Sequence, residues 1–348
     1  MRVVIVTAQV PFVRGGAEVL AEGLCDALCS GGHQAEIVAI PFKWYPPERI
    51  LDQMLACRLL DVDESMGMAV DRVIGLKFPA YFIHHPNKVL WILHQHRTAY
   101  DLWDHPLCDL INYPNGIQVR EAIRQADTQL IPEAKAVYTI AHNVSRRLKK
   151  YNGIDSTPLY HPPAHAEEFY CSKAEDYLFF PSRLGHLKRQ ILVVEALAHT
   201  RQSVRLRFVG AADLPSYAEE FKTTARRLGV YNRVEWLGPV TEENKLRLYA
   251  QALGVIFPPI DEDYGYITLE AMLASKPVIT CTDSGGPLEF VHDKETGLIV
   301  EPTPESLADA MDILWENRGK AQSWGKAGRD YYDSLDISWP GVVERLLS

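Results

Sequence analysis

Short apolar segments alternate strictly with helical patterns across the second half of the chain. Strands are predicted at Tyr177–Pro181, Val204–Val209, Val234–Leu237, Gly254–Pro258 and Pro277–Thr282. Helices are predicted between them at residues 189–200, 214–229, 241–252 and 266–275, and Thr241 is suited to cap the third of these. Because parallel strands need a crossover connection, which a helix usually supplies, this alternation predicts a doubly wound α/β domain.

The first half begins with the same arrangement. Val3–Thr7 and Glu36–Ile40 predict strands, and Ala17–Ser30 predicts a helix between them that two glycines end. Further strands are predicted at residues 89–93 and 136–141, and further helices at 117–129, 144–151, 305–316 and 337–347. Leu159–Lys173 has two adjacent prolines and little periodicity, which makes it the best candidate linker. We therefore expect two Rossmann-like domains, residues 1–168 and 169–336, facing a central cleft, with a ligand at the carboxyl ends of the strands.

Composition narrows the class of partner. The 348 residues carry 36 Lys and Arg against 45 Asp and Glu, a formal charge of −9, without the dense basic stripe that nucleic-acid binding needs. No apolar run approaches the roughly 20 residues that cross a bilayer. The six cysteines include no CxxC pair, which is typical of a reduced protein. We expect a cytoplasmic protein that does not bind nucleic acid.

The strongest chemical signal follows the predicted strand at residues 254–258. The sequence there reads Asp261-Glu262-Asp263-Tyr264-Gly265-Tyr266-Ile267-Thr268-Leu269-Glu270, with the two glutamates eight positions apart. A helix that begins near Tyr266 would point its first backbone N–H groups at an anion. Glu262 would lie in the loop over that N-terminus and Glu270 about one turn inside the helix, where both can accept hydrogen bonds from sugar or ribose hydroxyls. A solvated acidic loop before an ordinary helix is the alternative.

Two further loops follow predicted strands. Arg183 and Lys188 come after the first strand of the second domain, and side chains of these types suit a diphosphate. Gly15 and Gly16 come before the first helix, and adjacent glycines let backbone approach a phosphate closely. This pair is neither a G-x-G-x-x-G nor a Walker loop, so it gives no support to NAD or ATP binding. A solvated surface and a plain turn are the respective alternatives.

Together these loops resemble the motifs of the family 4 glycosyltransferases, which are retaining enzymes of the GT-B fold. Glu262 and Glu270 match the E-x7-E pattern of that family, and Arg183 and Lys188 match its R-x4-K pattern. The other matching segments are Gly15, Gly16 and Glu18 for its GG-x-E loop, the run Ile279–Glu289, and Gly297–Ile299. The resemblance covers nearly the whole chain and is most specific in residues 177–302.

By this resemblance the substrate is a nucleoside-diphosphate sugar such as a UDP- or GDP-sugar. Glu270 would bind the donor ribose and Glu262 a hydroxyl of the transferred sugar. Arg183 and Lys188 would hold the diphosphate and stabilise its charge as the sugar–phosphate bond breaks. The remaining donor contacts are expected from Gly15, Gly16, Asp263, Tyr264, Gly265, Tyr266, Ile267 and Thr268. The C-terminal helix, residues 337–348, would pack back on the first domain.

The run Asp261-Glu262-Asp263 also has the D-x-D spacing of a metal site. We do not expect a metal there, because Arg183 and Lys188 are placed to carry the diphosphate. No cofactor is expected besides the donor itself.

The first domain is expected to select the acceptor. His94 lies at the end of a predicted strand, where members of the family often carry a histidine next to the reacting sugar. The resemblance therefore assigns it a sugar-contact or proton-handling role. Further acceptor contacts are expected from His96, Arg97, Tyr100 and Trp103, with Tyr113 as another aromatic able to stack on a sugar. The alternatives are hydrogen-bonded structural histidines, a zinc pair at His94 and His96, and core packing of the aromatics.

One departure from the family pattern is visible. Ala141 stands where many members carry a serine near a helix start, which puts a hydroxyl contact there in doubt. The basic run Arg146–Lys150 is typical of a solvated helix face. A weak membrane-surface contact at the inner face of the membrane is the alternative, since many members use lipid-linked acceptors.

These expectations describe a retaining, metal-independent glycosyltransferase. It would move a hexose-type sugar to a glycan or lipid-linked acceptor, in surface polysaccharide or glycoconjugate synthesis. A nucleotide-sugar epimerase or phosphorylase of the same architecture and a non-catalytic nucleotide-sugar-binding protein are the alternatives. Of these, an epimerase needs no acceptor.

Overall fold

The computed structural model describes residues 1–348. Its strands are β1 Arg2–Gln9, β2 Gln34–Pro41, β3 Glu64–Ser65, β4 Met68–Ala69, β5 Arg72–Gly75, β6 Lys88–Ile92, β7 Ala136–Thr139, β8 Thr157–Pro158, β9 Leu178–Pro181, β10 Leu206–Val209, β11 Val234–Trp236, β12 Gly254–Ile256, β13 Val278–Cys281 and β14 Gly297–Val300. Its α-helices are α1 Gly16–Ser30, α2 Glu48–Leu59, α3 Gly116–Leu130, α4 His142–Asn152, α5 Gln190–His199, α6 Pro215–Arg227, α7 Glu242–Gln251, α8 Tyr266–Leu273, α9 Pro304–Glu316, α10 Arg318–Ser334 and α11 Trp339–Leu347.

The first of two units comprises Met1–Ala164 together with Ser338–Ser348. Its six-stranded sheet has the order β2-β1-β5-β6-β7-β8, with every pair parallel. Every residue of β6 is buried, as expected for a strand covered on both faces. The helix α1 covers the sheet with a buried stripe at Leu20, Leu24 and Leu28, the spacing that a helix needs to bury one side.

The closing helix α11 belongs to this first unit. Its Trp339 ring lies against α1 at Gly23, where an added Cβ would come within 2.5 Å of the ring, and it stacks on His161 with the ring centroids 5.5 Å apart. The Arg72 guanidinium donates to the carbonyl oxygens of residues 346, 347 and 348. These are carbonyls that a helix leaves without an internal partner, so Arg72 both caps α11 and ties it to β5.

The second unit comprises His165–Ile337. Its six-stranded sheet has the order β11-β10-β9-β12-β13-β14 and is also parallel throughout. The three adjacent strands β9, β12 and β13 are buried along their whole length. Because they are parallel neighbours, the loops that follow them meet at one edge of the sheet, which is where an open α/β sheet binds ligands.

The structure confirms the α/β class with two Rossmann-like parallel sheets. Each predicted strand and helix is present within two residues of its expected ends, and the Thr241 hydroxyl accepts a hydrogen bond from the Asn244 N–H at 3.3 Å as the cap of α7. The sequence analysis did not predict β3, β4, β5, β8, β14, α2 or α10. None of the helices has the length and apolarity needed to span a membrane.

The two missed helices have different physical causes. Within α2 only Ile50 and Cys57 are buried, so the helix lacks the apolar stripe on which recognition depends. In α10 the interior Gly325 suggests a break rather than a helix. An added Cβ at Gly325 would lie 2.1 Å from the Ser275 carbonyl oxygen, so this glycine permits close packing of α10 on the turn after α8.

Candidate active site

The charged residues singled out in the second unit lie at the carboxyl edge of its sheet. Arg183 and Lys188 follow β9, Glu262 follows β12, and Glu270 is the fifth residue of α8. The Lys188 ammonium lies 2.5 Å from the Glu262 carboxylate, and both side chains are about one fifth exposed. The structure thus joins one member of the R-x4-K pattern directly to one member of the E-x7-E pattern, although 74 positions separate them.

The loop that carries Glu262 is fixed by backbone hydrogen bonds to the loop after β13. The N–H groups of Asp261 and Glu262 donate to the carbonyl oxygens of Asp283 and Ser284 at 3.0 and 2.9 Å, and the Gly286 N–H donates to the Glu262 carbonyl oxygen at 2.8 Å. An added Cβ at Gly286 would lie 2.6 Å from the Tyr264 carbonyl oxygen. Glycine is therefore required where these loops cross, and Glu262 is held by backbone on both sides.

The basic loop after β9 is held by acidic partners. Arg183 forms an ion pair with Asp213, in the loop after β10. Arg189, which has a φ of +59°, donates from Nη1 and Nη2 to the two oxygens of the Asp283 carboxylate at 2.7 and 2.5 Å. Such two-point pairs fix direction as well as distance. Both cations proposed for the diphosphate, Arg183 and Lys188, thus have a carboxylate partner in the structure.

The N-terminus of α8 has the features of an anion site. Gly265, with a φ of +85°, is its cap residue, and the first N–H groups of any helix lack an intrahelical acceptor. The Thr268 hydroxyl is fully buried in the first turn and has no hydrogen-bond partner. A buried polar atom without a partner costs free energy, so this hydroxyl suits a ligand that supplies an acceptor.

The neighbouring candidates divide by burial. Tyr264 and Ile267 are buried, and Thr268 is fully so, whereas Asp263 and Tyr266 are half-buried. The Tyr264 and Tyr266 rings meet edge to face with centroids 5.2 Å apart. Burial, with the nearby Glu270 carboxylate, raises the pKa of Tyr266, so its hydroxyl stays protonated.

Glu270 has two partners that the sequence analysis missed. The Tyr249 hydroxyl donates to its Oε2 at 2.5 Å, and the Lys245 ammonium lies 3.3 Å from its Oε1. Lys245 and Tyr249 are four positions apart on α7, so they share one face of that helix. That spacing was visible in the sequence, but nothing in it linked this face to Glu270.

In the first unit, the loop with Gly15 and Gly16 leads from β1 into α1. The Glu18 carboxylate accepts a hydrogen bond from the Gly15 N–H at 2.7 Å, a capping interaction, and lies 4.0 Å from the Lys77 ammonium. Gly15 has an extended backbone with φ −154°, and the nearest atom to an added Cβ would be 3.7 Å away. Neither backbone conformation nor packing requires a glycine at position 15.

The two candidate histidines follow β6. His94 is half-buried, and its Nδ1 lies 2.7 Å from the Gln95 carbonyl oxygen. The His96 ring packs against Phe78 and Phe42 with centroids 5.2 and 6.1 Å apart. Burial, together with neighbouring His94, lowers the pKa of His96 to about 4. The structure holds no group of three or more His, Cys, Asp or Glu side chains that could bind a metal.

The other acceptor candidates are tied into the first unit. Arg97 forms an ion pair with Asp101 at 2.7 Å, and Arg147 lies 3.5 Å from the same carboxylate. Trp103 is 9% exposed and lies under the Arg120 guanidinium, 4.2 Å from its ring centroid. Tyr113 is 36% exposed. Of the aromatic candidates, only Tyr113 presents much of its ring to solvent.

Tyr100 is a core residue. It is 4% exposed, and its hydroxyl donates to the Asp127 carboxylate at 2.7 Å. Asp127, fully buried on α3, also accepts hydrogen bonds from Tyr81 at 2.8 Å and from Gln95 at 2.7 Å. Burial raises the pKa of Asp127 to about 6 against the opposing effect of these hydrogen bonds. The buried Tyr100 ring leaves no face for a sugar, and its hydroxyl helps to anchor the segment after β6 to α3.

Two sequence features lie on α4, namely Ala141 at its start and the basic run 146–150. Ala141 is its cap residue and makes no side-chain capping bond. Within the basic run 146–150, Arg147 is buried, with 9% exposure, whereas Lys149 pairs at the surface with Asp155 at 2.8 Å. The run is therefore not a uniformly solvated face, because Arg147 points toward Asp101.

Comparison with known proteins finds a family model that matches the second unit. The model of the glycosyl transferases of group 1 matches residues 167–331, nearly all of the second unit. An uncharacterized glycosyltransferase of Methanocaldococcus jannaschii is 22% identical over all of this chain and 97% of that protein. Further curated relatives, mannosyltransferases among them, align over only 28% to 54% of their own length.

Solved structures match over nearly the whole chain. Sucrose-phosphate synthase from Thermosynechococcus elongatus has a TM-score of 0.78 and 16% identity, covering 99% of this chain and 97% of that one. Anabaena HepE in complex with UDP-glucose has a TM-score of 0.74 and 16% identity, covering 99% and 98%. Likeness at this identity establishes the fold. The chain therefore has the GT-B fold, and the sequence of its second unit matches the model of the group 1 glycosyl transferases.

Proposed function

We propose that this protein is a retaining, metal-independent glycosyltransferase that uses a nucleoside-diphosphate hexose. Its acceptor would be a glycan or a lipid-linked sugar, in polysaccharide or glycoconjugate synthesis. The observation that carries the proposal is the meeting of Lys188 and Glu262 at the carboxyl edge of a parallel sheet. The structural neighbour bound to UDP-glucose supports the class of donor.

The donor diphosphate is assigned to three groups of the second unit. Arg183 offers a fork of N–H donors and Lys188 a point charge, while the N-terminus of α8 adds backbone N–H groups. The buried Thr268 hydroxyl, which lacks a partner, gains an acceptor when a phosphate oxygen lies beside this turn. Tyr264, Gly265, Tyr266 and Ile267 form that turn, and Asp263 precedes it.

The proposed reaction transfers the sugar without a protein nucleophile. The bond from the anomeric carbon to the phosphate oxygen breaks while the acceptor hydroxyl bonds to the same face of that carbon. The acceptor proton passes to the leaving phosphate oxygen, and the products are a glycoside and a nucleoside diphosphate. Arg183 and Lys188 stabilise the charge on the leaving group, and Glu262 accepts a hydrogen bond from the transferred sugar.

The first unit supplies the remaining proposed contacts. We assign His94 to a hydroxyl of the reacting sugar and Gly15 and Gly16 to the donor phosphates. Gly15 supports this role because neither its φ nor its neighbours require a glycine there. A cytoplasmic protein, at most peripheral to the membrane, fits this chemistry.

Four measurements test the proposal. A panel of nucleoside diphosphates and their sugars is screened by thermal shift, where a true donor adds about 3–4 kcal/mol of stability at 100–1,000 times its dissociation constant. Release of the nucleoside diphosphate is then followed with and without acceptor sugars. Nuclear magnetic resonance of the product gives the anomeric configuration, and the rate is repeated with a chelator.

The proposal predicts acceptor-dependent release, a product with the donor's anomeric configuration, and a rate that the chelator leaves unchanged. Release without acceptor that yields an epimerised sugar would instead identify an epimerase. Donor binding with no turnover across a broad acceptor panel would favour a binding protein.

A further inference from the structure

The carboxylate of Glu270 contacts two side chains of α7. Tyr249 donates its hydroxyl to Oε2 at 2.5 Å, and Lys245 places its ammonium 3.3 Å from Oε1. Each carboxylate oxygen thus has its own partner, and both partners project from the same face of one helix. A carboxylate bound at both oxygens cannot rotate without breaking one of these contacts.

These contacts to Glu270 are shielded from solvent. Tyr249 has no exposed surface, and the Glu270 side chain is 12% exposed. Burial and the adjacent carboxylate raise the pKa of Tyr249 well above its ordinary value, so the hydroxyl remains a donor. Burial opposes the charge on Lys245, but the carboxylates of Glu270 and Glu242 outweigh it and raise the pKa of Lys245. Lys245 therefore stays positively charged beside the Glu270 carboxylate.

Both carboxylate oxygens of Glu270 can accept further hydrogen bonds. An ionised carboxylate offers about four lone-pair sites, two on each oxygen. One site on Oε2 is used by Tyr249 and one on Oε1 by Lys245, which leaves one acceptor site on each oxygen. Two acceptors side by side match two neighbouring hydroxyl donors, which is the arrangement of a vicinal diol.

We infer that Lys245 and Tyr249 are positioning residues that orient Glu270 to bind both hydroxyls of a ribose diol, so that the protein selects ribonucleoside diphosphates over their 2′-deoxy analogues. The inference rests on the proposed function, in which Glu270 contacts the donor ribose. It adds Lys245 and Tyr249 as the residues that hold Glu270 in the orientation that this contact needs.

Calorimetric titration with matched nucleotide pairs tests the inference. UDP, GDP and ADP are each compared with the 2′-deoxy form, and the pair that binds most tightly is carried forward. A hydrogen bond to a charged group is worth about 10–100-fold in affinity, so the wild type is expected to prefer the ribonucleotide by about 10-fold or more. Tyr249→Phe lets the carboxylate turn, and the preference should fall to within about 3-fold of unity.

The control removes an equivalent hydroxyl that does not touch Glu270. Tyr177 is also buried, and its hydroxyl donates to the Leu248 carbonyl oxygen of the same helix α7 at 2.7 Å. Tyr177→Phe should therefore lower the melting temperature about as much as Tyr249→Phe while keeping the preference for the ribonucleotide. A merely structural role for Tyr249 would move both variants together.

A second variant keeps the test open if Tyr249→Phe does not fold. Lys245→Met, matched with Lys222→Met on the surface of α6, should also reduce the ribonucleotide preference, and only the former should do so. Full preference in both Tyr249→Phe and Lys245→Met, with the wild type binding the ribonucleotide, would overturn this inference alone. A wild type that binds no nucleoside diphosphate would overturn the proposed function and this inference with it.

Discussion

The candidate residues of the two units differ in their exposure to solvent and in their partners. In the second unit, Lys188 and Glu262 are partly exposed and bind each other across two loops. In the first unit, Tyr100 and Trp103 are buried and bound to Asp127 and Arg120. Charged groups that pair at a sheet edge can exchange partners with a ligand. A buried tyrosine side chain, in contrast, can reach solvent only if the packing of the core is disrupted. The difference separates residues that we propose to bind substrate from residues that stabilise the first unit.

The largest effect is expected from the buried carboxylate of the first unit. Asp127→Ala leaves the hydroxyls of Tyr81 and Tyr100 and the amide of Gln95 without their acceptor. Each unsatisfied buried donor costs about 1–3 kcal/mol, so denaturant unfolding should show a loss of about 3–4 kcal/mol. If the comparison holds, nucleotide affinity measured on the folded protein stays at the wild-type value. A stable Asp127→Ala protein would contradict the buried network.

In the second unit, replacing a candidate residue should reduce activity rather than stability. Glu262→Ala removes an acceptor for a sugar hydroxyl and leaves Lys188 without its partner, and kcat/KM for transfer should fall by about 10²-fold. The free energy of unfolding should change by less than about 1 kcal/mol, since partly exposed ion pairs contribute little. Glu219→Ala, which removes a carboxylate on the surface of α6, serves as the control. Equal transfer rates in the two variants would refute the assignment of Glu262.

Stability against pH sharpens the contrast further. The pKa of Asp127 is raised by burial from 3.8 to about 6, so between these values the folded protein holds a proton that the unfolded chain has lost. Stability from this group is therefore present at low pH and lost as the pH rises through 6, by about 2 kcal/mol between pH 4.5 and 6.5. Asp127→Asn cannot titrate. The difference in unfolding free energy between wild type and Asp127→Asn should change by that amount over this range, and a constant difference would show that Asp127 is ionised throughout.

The smallest effect concerns the partner of Arg183. Asp213 pairs with Arg183 and would compete with a donor diphosphate for it. Asp213→Asn should tighten nucleoside diphosphate binding by about 2–5-fold at low salt, the range of a partly exposed ion pair, and the gain should shrink at high salt. Weaker binding in this variant would mean that Asp213 positions Arg183 rather than competing for it.

How much the sequence predicts depends on what kind of signal each residue carries. The parallel sheets follow from the alternation of strands and helices. The proposed donor-binding loops follow from motifs in which several residue types occur at fixed spacing. The prediction of Tyr100 and Trp103 as acceptor contacts rests on residue type alone. Residue type does not distinguish an aromatic side chain in the core from one at a binding surface. The α10 helix was missed because its Gly325 serves a contact with Ser275, which no local pattern reveals.

The contacts of the proposed donor-binding residues could not be predicted from the sequence either. Lys245 and Tyr249 meet Glu270, and Asp213 meets Arg183, only after the sheet has formed. Their spacing in the chain follows from the fold, so it carries no motif of its own. The structure therefore adds the second layer of residues that hold the recognised ones in place.

The most direct test of the account is calorimetric titration of UDP, GDP and ADP, each beside its nucleoside, against the wild type and Lys188→Met. The account predicts that one nucleoside diphosphate binds the wild type well and that Lys188→Met weakens it by about 10-fold or more, while the weak affinity for the nucleoside does not change. Equal affinity of both proteins for every nucleoside diphosphate would contradict the claim that this edge of the second unit holds the donor diphosphate.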